Sequence, residues 1–385
     1  AGACLVMCRS KGGLVNPDDP CLTQGLSQAL PMVTDEHVLH QINRLIEDND
    51  LVAAEECCRN ALDMHVGDGR LLRLKGIISY RKADFVSAIS CLANANAKHG
   101  LAVEGWILLA DSFLKTANYP RALEVLHQLV EVSPSCADGC GLLGLAYIKQ
   151  ARYDEAIRYL RQALLLDKDN FYARLYLGAA YRESGQHEYA VEQFHRALEL
   201  QPDSLVACFM LGAAYHALDD IPMAIECYEG VLKKSPEHKE CRKKLAAIYI
   251  SMGQDAERKC DLMATEKAFR RVAELIPDEA ISHNNLGLSL WRMGRVDEAR
   301  NSYETALGLD GNNILWQLRK DILCPSVFRS RAEIDQICRN LENAVGQYAA
   351  MKLQENPVDM AATGIYPHYS LMYLYHNRNI RPIKE

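Results

Sequence analysis

The apolar and polar positions of this chain repeat. Compare FYARLYLGAAYRESGQHEYAVEQFHRALELQPDS (171–204) with LVACFMLGAAYHALDDIPMAIECYEGVLKKSPEH (205–238). Leu177-Gly178 returns as Leu211-Gly212, Tyr181 as Tyr215, Ala190 as Ala224, Phe194 as Tyr228 and Pro202 as Pro236, each 34 residues on. Fixed self-similarity of this length marks stacked supersecondary units. The residue types predict two antiparallel helices per unit. Gly178 and Ala190 are small where the two helices approach. Tyr181 and Phe194 are expected to fill the space towards the next hairpin. Pro202 stops the second helix, because it lacks an N–H and clashes with the preceding turn.

The same register extends in both directions. Units are predicted at 35–68, 69–102, 103–136, 137–170, 171–204, 205–238, 239–279 and 280–313. Leu143, Gly144, Tyr147, Ala156 and Ala163 mark the fourth, and Leu286, Gly287, Ala299, Tyr303 and Ala306 the last. The first keeps only Ala54 and Ala61. The segment 239–279 fits only if seven extra residues enter around GQDAERKCDLMA. Seven residues are about two helical turns, so either helices or a loop can absorb them with the apolar faces in phase.

This pattern resembles the tetratricopeptide repeat (TPR). The resemblance implies an all-α fold, a right-handed superhelical solenoid of about eight helix-turn-helix units. Such arrays need capped ends. Asn313–Leu323 is the expected C-terminal cap, and residues 1–34, with KGGLVNPDDP, read as a linker. In TPR solenoids the first helix of each unit lines a concave face through positions 2, 5, 6, 9, 12 and 13. Those positions give Leu145, Ile148, Tyr172, Leu175, Tyr176, Phe209, Met210, His216, Asn284, Asn285 and Trp291. Together they form a candidate groove for an extended or helical peptide. The alternative for each is a packing role against the neighbouring helix. The Lys/Asn set with which chaperone-binding TPR domains clamp a terminal carboxylate is absent from these positions.

Composition narrows the partners. The 385 residues carry a net charge of −7, which argues against a broad nucleic-acid surface. One basic run, Lys233–Lys244, reads as a solvated turn or as an anion patch. The 14 cysteines show no zinc spacing and read as reduced thiols of a cytoplasmic or nuclear protein. No apolar run approaches the roughly 20 residues of a membrane span. No cofactor or metal is expected. Self-association through repeat edges is compatible with the incomplete first unit.

After the repeats the register changes. Ser330 and Glu333 have capping-box spacing, and Ile334, Ile337, Leu341, Val345 and Tyr348 share a helix face. The closing stretch YPHYSLMYLYHNRNIRPIKE (366–385) resembles the entry to the catalytic region of O-GlcNAc transferases, which are TPR solenoids followed by glycosyltransferase lobes. Pro367, His368, Ser370 and His376 fall on matching positions, and Tyr369 stands where that family has a second histidine. By that likeness His368 matches a histidine facing the sugar-nucleotide site. The nucleotide-binding lobes have no counterpart in 1–385. That family's ladder of groove asparagines is also nearly absent, since position 6 is Leu108, Leu142, Tyr176, Met210, Lys244 and only then Asn285. Two functions are therefore expected: an interaction scaffold, or the repeat region of a glycosyltransferase.

Overall fold

The computed structural model describes residues 36–311, 313–321 and 323, with 332, 335, 336, 339, 340 and 343. The linker over 1–34 and the closing stretch with His368 lie outside them. The described chain is all helical. Hairpins follow one another as α1 (Glu36–Glu47) and α2 (Leu51–Met64), α3 (Gly69–Arg81) and α4 (Phe85–His99), α5 (Val103–Lys115) and α6 (Tyr119–Val132), α7 (Ala137–Lys149) and α8 (Tyr153–Leu166), then α9 (Phe171–Glu183) and α10 (His187–Leu200). They continue as α11 (Leu205–Ala217) and α12 (Ile221–Lys234), α13 (Lys239–Arg258) and α14 (Leu262–Leu275), and α15 (Ala280–Arg292) and α16 (Val296–Leu309), closed by α17 (Ile314–Asp321). Two compact units divide within α9, the first ending at Leu177 and the second beginning at Gly178.

Close approach inside six of the described hairpins follows from one glycine and the large residue sixteen positions on, while α1 and α5 carry Ile42 and Ala110 at that position. A Cβ on Gly144 would stand 2.3 Å from Leu160 Cγ, and one on Gly178 2.7 Å from Phe194 Cε1. Gly76 faces Leu92, Gly212 faces Tyr228 and Gly287 faces Tyr303 in the same way. Phe194 thus fills its own hairpin rather than the space towards the next one. Contact between hairpins falls to the tyrosine at position 11 of the first helix. Tyr147 Oη meets His127 Nε2 of the preceding hairpin at 2.9 Å, and Tyr215 Oη meets His195 Nε2 at 2.8 Å. Tyr147 also stacks on Tyr159, with centroids 5.5 Å apart and planes 5° from parallel.

The turn inside five of the described hairpins uses one residue twice. The residue before the second helix donates its N–H five residues back, closing the first helix: Asp84 to Ser79 O, Asn118 to Phe113 O, Asp220 to Tyr215 O. Its side chain then caps the second helix, as Asp84 accepts from Ser87 N at 3.1 Å. This geometry places the preceding residue in the left-handed region. Gly185 and Gly294 occupy it without cost, whereas Ala83, Ala117 and Ala151 adopt φ of 60°, 57° and 56°.

The seven additional residues of the seventh unit enter α13 alone. It has 20 residues where α11 and α15 have 13, and α14 keeps the ordinary 14. Two added turns carry the helix on without rotating its buried face. Ala246 is buried at the position a standard unit would give it, and a Cβ on Gly253, seven residues later, would stand 3.1 Å from Phe269 Cζ. Beyond α16, α17 supplies Arg319, whose Nη1 donates to Asn284 Oδ1 at 2.7 Å in a buried contact. Leu323 closes the same core.

Candidate functional site

In the first unit, α3, α5 and α7 lie side by side. Their outer surface, with the first turns of α9, carries polar and aromatic groups at the positions that the repeat register turns away from the second helices. Tyr172 is 62% exposed and Tyr176 half-buried, their rings 6.3 Å apart and tilted by 32°. Phe171 meets Tyr172 edge-on at 5.3 Å. Burial, and then the nearby Asp111 carboxylate and Tyr172, push the Tyr176 phenol up from its ordinary value. Asp111 lies at position 9 of its helix and is half-buried. Its Oδ2 accepts a 2.5 Å hydrogen bond from Tyr80 Oη, at position 12 of α3. Burial and that bond raise the Tyr80 phenol.

Leu145 and Ile148 of α7 are half-buried. Leu175 is buried at 8%, so it packs into the core and offers no contact surface. Between Asp111 and Tyr176 in the helix order stands Gly141, at position 5 of α7, and nothing lies within 4 Å of where its Cβ would be. Tyr80 and Asp111 lie outside the predicted groove positions, which begin in the fourth repeat. The same register applied to 69–102 and 103–136 finds both.

In the second unit the positions behave differently. Phe209 lies against Tyr228 at 5.6 Å and stacks on His238 at 5.4 Å, which makes it chiefly a packing residue. Met210 is half-buried, and its sulfur accepts from Arg182 Nη1 at 3.4 Å. His216 is exposed. Asn284 is buried, held by Arg319, and donates to Asn285 Oδ1 at 3.0 Å. Trp291 packs on the core from the edge. Position 5 thus turns inward in three units, through Leu175, Phe209 and Asn284. The basic run spans the end of α12, a turn and the start of α13. Lys234 pairs with Asp203 at 2.6 Å and Arg242 with Glu237 at 3.0 Å, while Lys239, Lys243 and Lys244 are exposed.

Several cysteines act as small core residues that donate to backbone carbonyls. Cys58 Sγ reaches Leu71 O at 3.5 Å and Cys241 Sγ reaches Tyr228 O at 3.2 Å. Burial pushes these thiols up to about 11 and about 12. Among the described residues no helix is long and apolar enough to cross a membrane.

Comparison with known proteins agrees with this geometry. Tetratricopeptide repeat models match residues 142–205, 205–238 and 280–313. The solved C-terminal part of a TPR repeat-containing protein from Cytophaga hutchinsonii is similar at a TM-score of 0.53 and 16% identity, over 64% of this chain and 99% of that one. A tetratricopeptide repeat protein from Parabacteroides merdae is similar at 0.47 and 17%, over 66% and 98%. YrrB, described as a TPR protein with an unusual peptide-binding site, is similar at 0.40 and 20%, over 44% and 88%. No curated protein matches the chain. The all-helical hairpins, the matching models and the likeness to the Cytophaga structure establish an all-α array that carries tetratricopeptide repeats.

Proposed function

We propose that this chain is a protein-interaction scaffold that holds a peptide segment of a partner against the first-helix face of its first unit. The observation that carries the reading is the exposed pair Tyr172 and Tyr176 beside Asp111. An exposed Tyr ring, 62% accessible, is apolar area of the kind that anchors interfaces. The test replaces both rings, Tyr172→Ala with Tyr176→Ala, and measures binding of peptides selected on the wild-type protein from a random dodecapeptide display library. Binding is expected to fall by about tenfold or more, since interface aromatics contribute on the order of 2 kcal/mol each. Unchanged affinity in a folded double variant contradicts the reading. Phe209 is unsuited to this test, because its ring supports Tyr228 and His238.

A second reading makes the repeats the partner-selecting region of an O-GlcNAc-transferase-like glycosyltransferase acting on proteins. Its support is the likeness of residues 366–385, with His368. The intact mass of the protein from its native source tests it: a mass near 43 kDa counts against attached lobes, and one about twice that favours them. The first reading holds in either case, because its surface lies wholly within the repeats.

A further inference from the structure

We propose that Asp111, flanked by Tyr80, Tyr172 and Tyr176, is the seat for an arginine side chain of the bound peptide, an inference that rests on the peptide-binding reading above. Three observations converge. The carboxylate is half-buried on a binding face, yet among the described residues no cation pairs with it. Tyr80 fixes one oxygen, Oδ2, and among the described residues no hydrogen bond engages Oδ1, which leaves an acceptor for an incoming donor. A half-buried charge of one sign, held in place and unneutralised, selects a partner of the other sign.

The aromatic surround chooses between cations. Tyr172 and Tyr176 form a tilted pair with centroids 6.3 Å apart. A planar guanidinium stacks on such a face and still donates sideways to a carboxylate, whereas an ammonium is a hydrated point charge. This chain already makes that arrangement elsewhere. The Arg152 guanidinium carbon lies 4.6 Å from the Tyr147 centroid while its Nε donates to Glu155 at 3.0 Å. Position 5 holds a leucine, a phenylalanine and an asparagine in α9, α11 and α15, but in α7 it is Gly141, which is buried and holds no side chain, and a Cβ there would meet nothing within 4 Å. No bulky side chain of α7 at that position therefore crowds Asp111.

The experiment pans a random dodecapeptide display library on the wild-type protein, then measures synthetic peptides by titration calorimetry. Arginine is expected at one fixed position of the enriched sequences. Replacing it by citrulline, which keeps the shape and removes the charge, is expected to weaken binding by about tenfold or more. Lysine is expected to bind less tightly than arginine. Asp111→Asn retains an acceptor for Tyr80 Oη and removes the charge. It should bind the arginine peptide as weakly as the wild type binds the citrulline peptide, with no further loss on combining the two changes. Tyr176→Leu, which keeps an apolar side chain, should narrow the preference for arginine over lysine. Enriched peptides without a fixed arginine, or a citrulline effect equal in wild type and Asp111→Asn, would overturn the arginine seat and leave peptide binding standing. Failure to enrich any peptide would overturn both. Thermal melts of each variant by circular dichroism confirm that the repeats remain folded.

Discussion

Gly144→Ala tests the packing of the hairpins most sharply. In a helix interior this change alone favours the fold by about 0.5–1 kcal/mol, because alanine loses less backbone freedom. Here the new methyl would stand 2.3 Å from Leu160 Cγ and within 3 Å of both its δ carbons. Carbon atoms pack at about 3.5–4.0 Å, so the leucine must shift by more than an ångström. Leu160 is fully buried, so any shift of its side chain must be taken up by the packed residues around it. Overpacking of this kind costs about 1–3 kcal/mol. The net expectation is a loss of about 1–2 kcal/mol. Gly230→Ala is the control. It lies inside α12, is exposed, and a Cβ there would meet nothing closer than Cys208 Sγ at 3.9 Å. It should gain about 0.5–1 kcal/mol. Urea unfolding followed by circular dichroism measures both through the midpoint. A Gly144→Ala protein as stable as the wild type would refute the close-approach argument, most plainly if Gly230→Ala shows the expected gain.

Other changes follow from the same contacts. Ala117→Gly and Ala151→Gly relieve a left-handed alanine and should each raise stability by roughly 0.5 kcal/mol, the strain of about 1 kcal/mol outweighing glycine's extra freedom in the unfolded chain. Tyr303→Phe should be neutral or stabilising in thermal melts, because the Tyr303 hydroxyl is buried without a hydrogen-bond partner, whereas Tyr147→Phe should cost about 1 kcal/mol through the lost bond to His127. Asn284→Ala removes an acceptor from the buried Arg319 guanidinium and should cost about 2 kcal/mol, with faster amide exchange in α17 as its local signature. In pH titrations of stability, Glu55 and Asp203 are held below their ordinary values by hydrogen bonds from Lys82 and Lys234. The unfolded chain therefore takes up protons first. Stability should be level above the ordinary carboxylate range and fall as pH drops through it. At the other end, Cys58 and Cys241 are pushed up in the fold, so stability should decline as pH rises above their ordinary value near 9, towards 11.

The repeat period was legible because each mark answers to a local steric need. Gly178 recurs as Gly212 since a large ring must lie sixteen residues on, and a glycine answers a bulky residue at the same spacing in six of the described hairpins. The seven-residue excess of the seventh unit was legible as a length, yet its location was not. Helix and loop both absorb two turns without a change of phase, and only packing against α12 and α14 places the residues in α13. The candidate surface was less legible. A position number says where a side chain starts and not how far its neighbour reaches. Leu175 and Asn284 shared their register with surface positions, and the structure buries both. Tyr80 and Asp111 carried no signal alone, because their pairing joins residues 31 apart on different helices. The left-handed alanines were also invisible, since the turn overrides the preference of the residue that occupies it.

The measurement closest to the central claim is amide hydrogen exchange of the protein with and without its tightest selected peptide. Peptide binding on the first-helix face predicts slowed exchange in α5, in α7 and over residues 171–177. Slowing confined to the second helices α4, α6 and α8, with those segments unchanged, would contradict it.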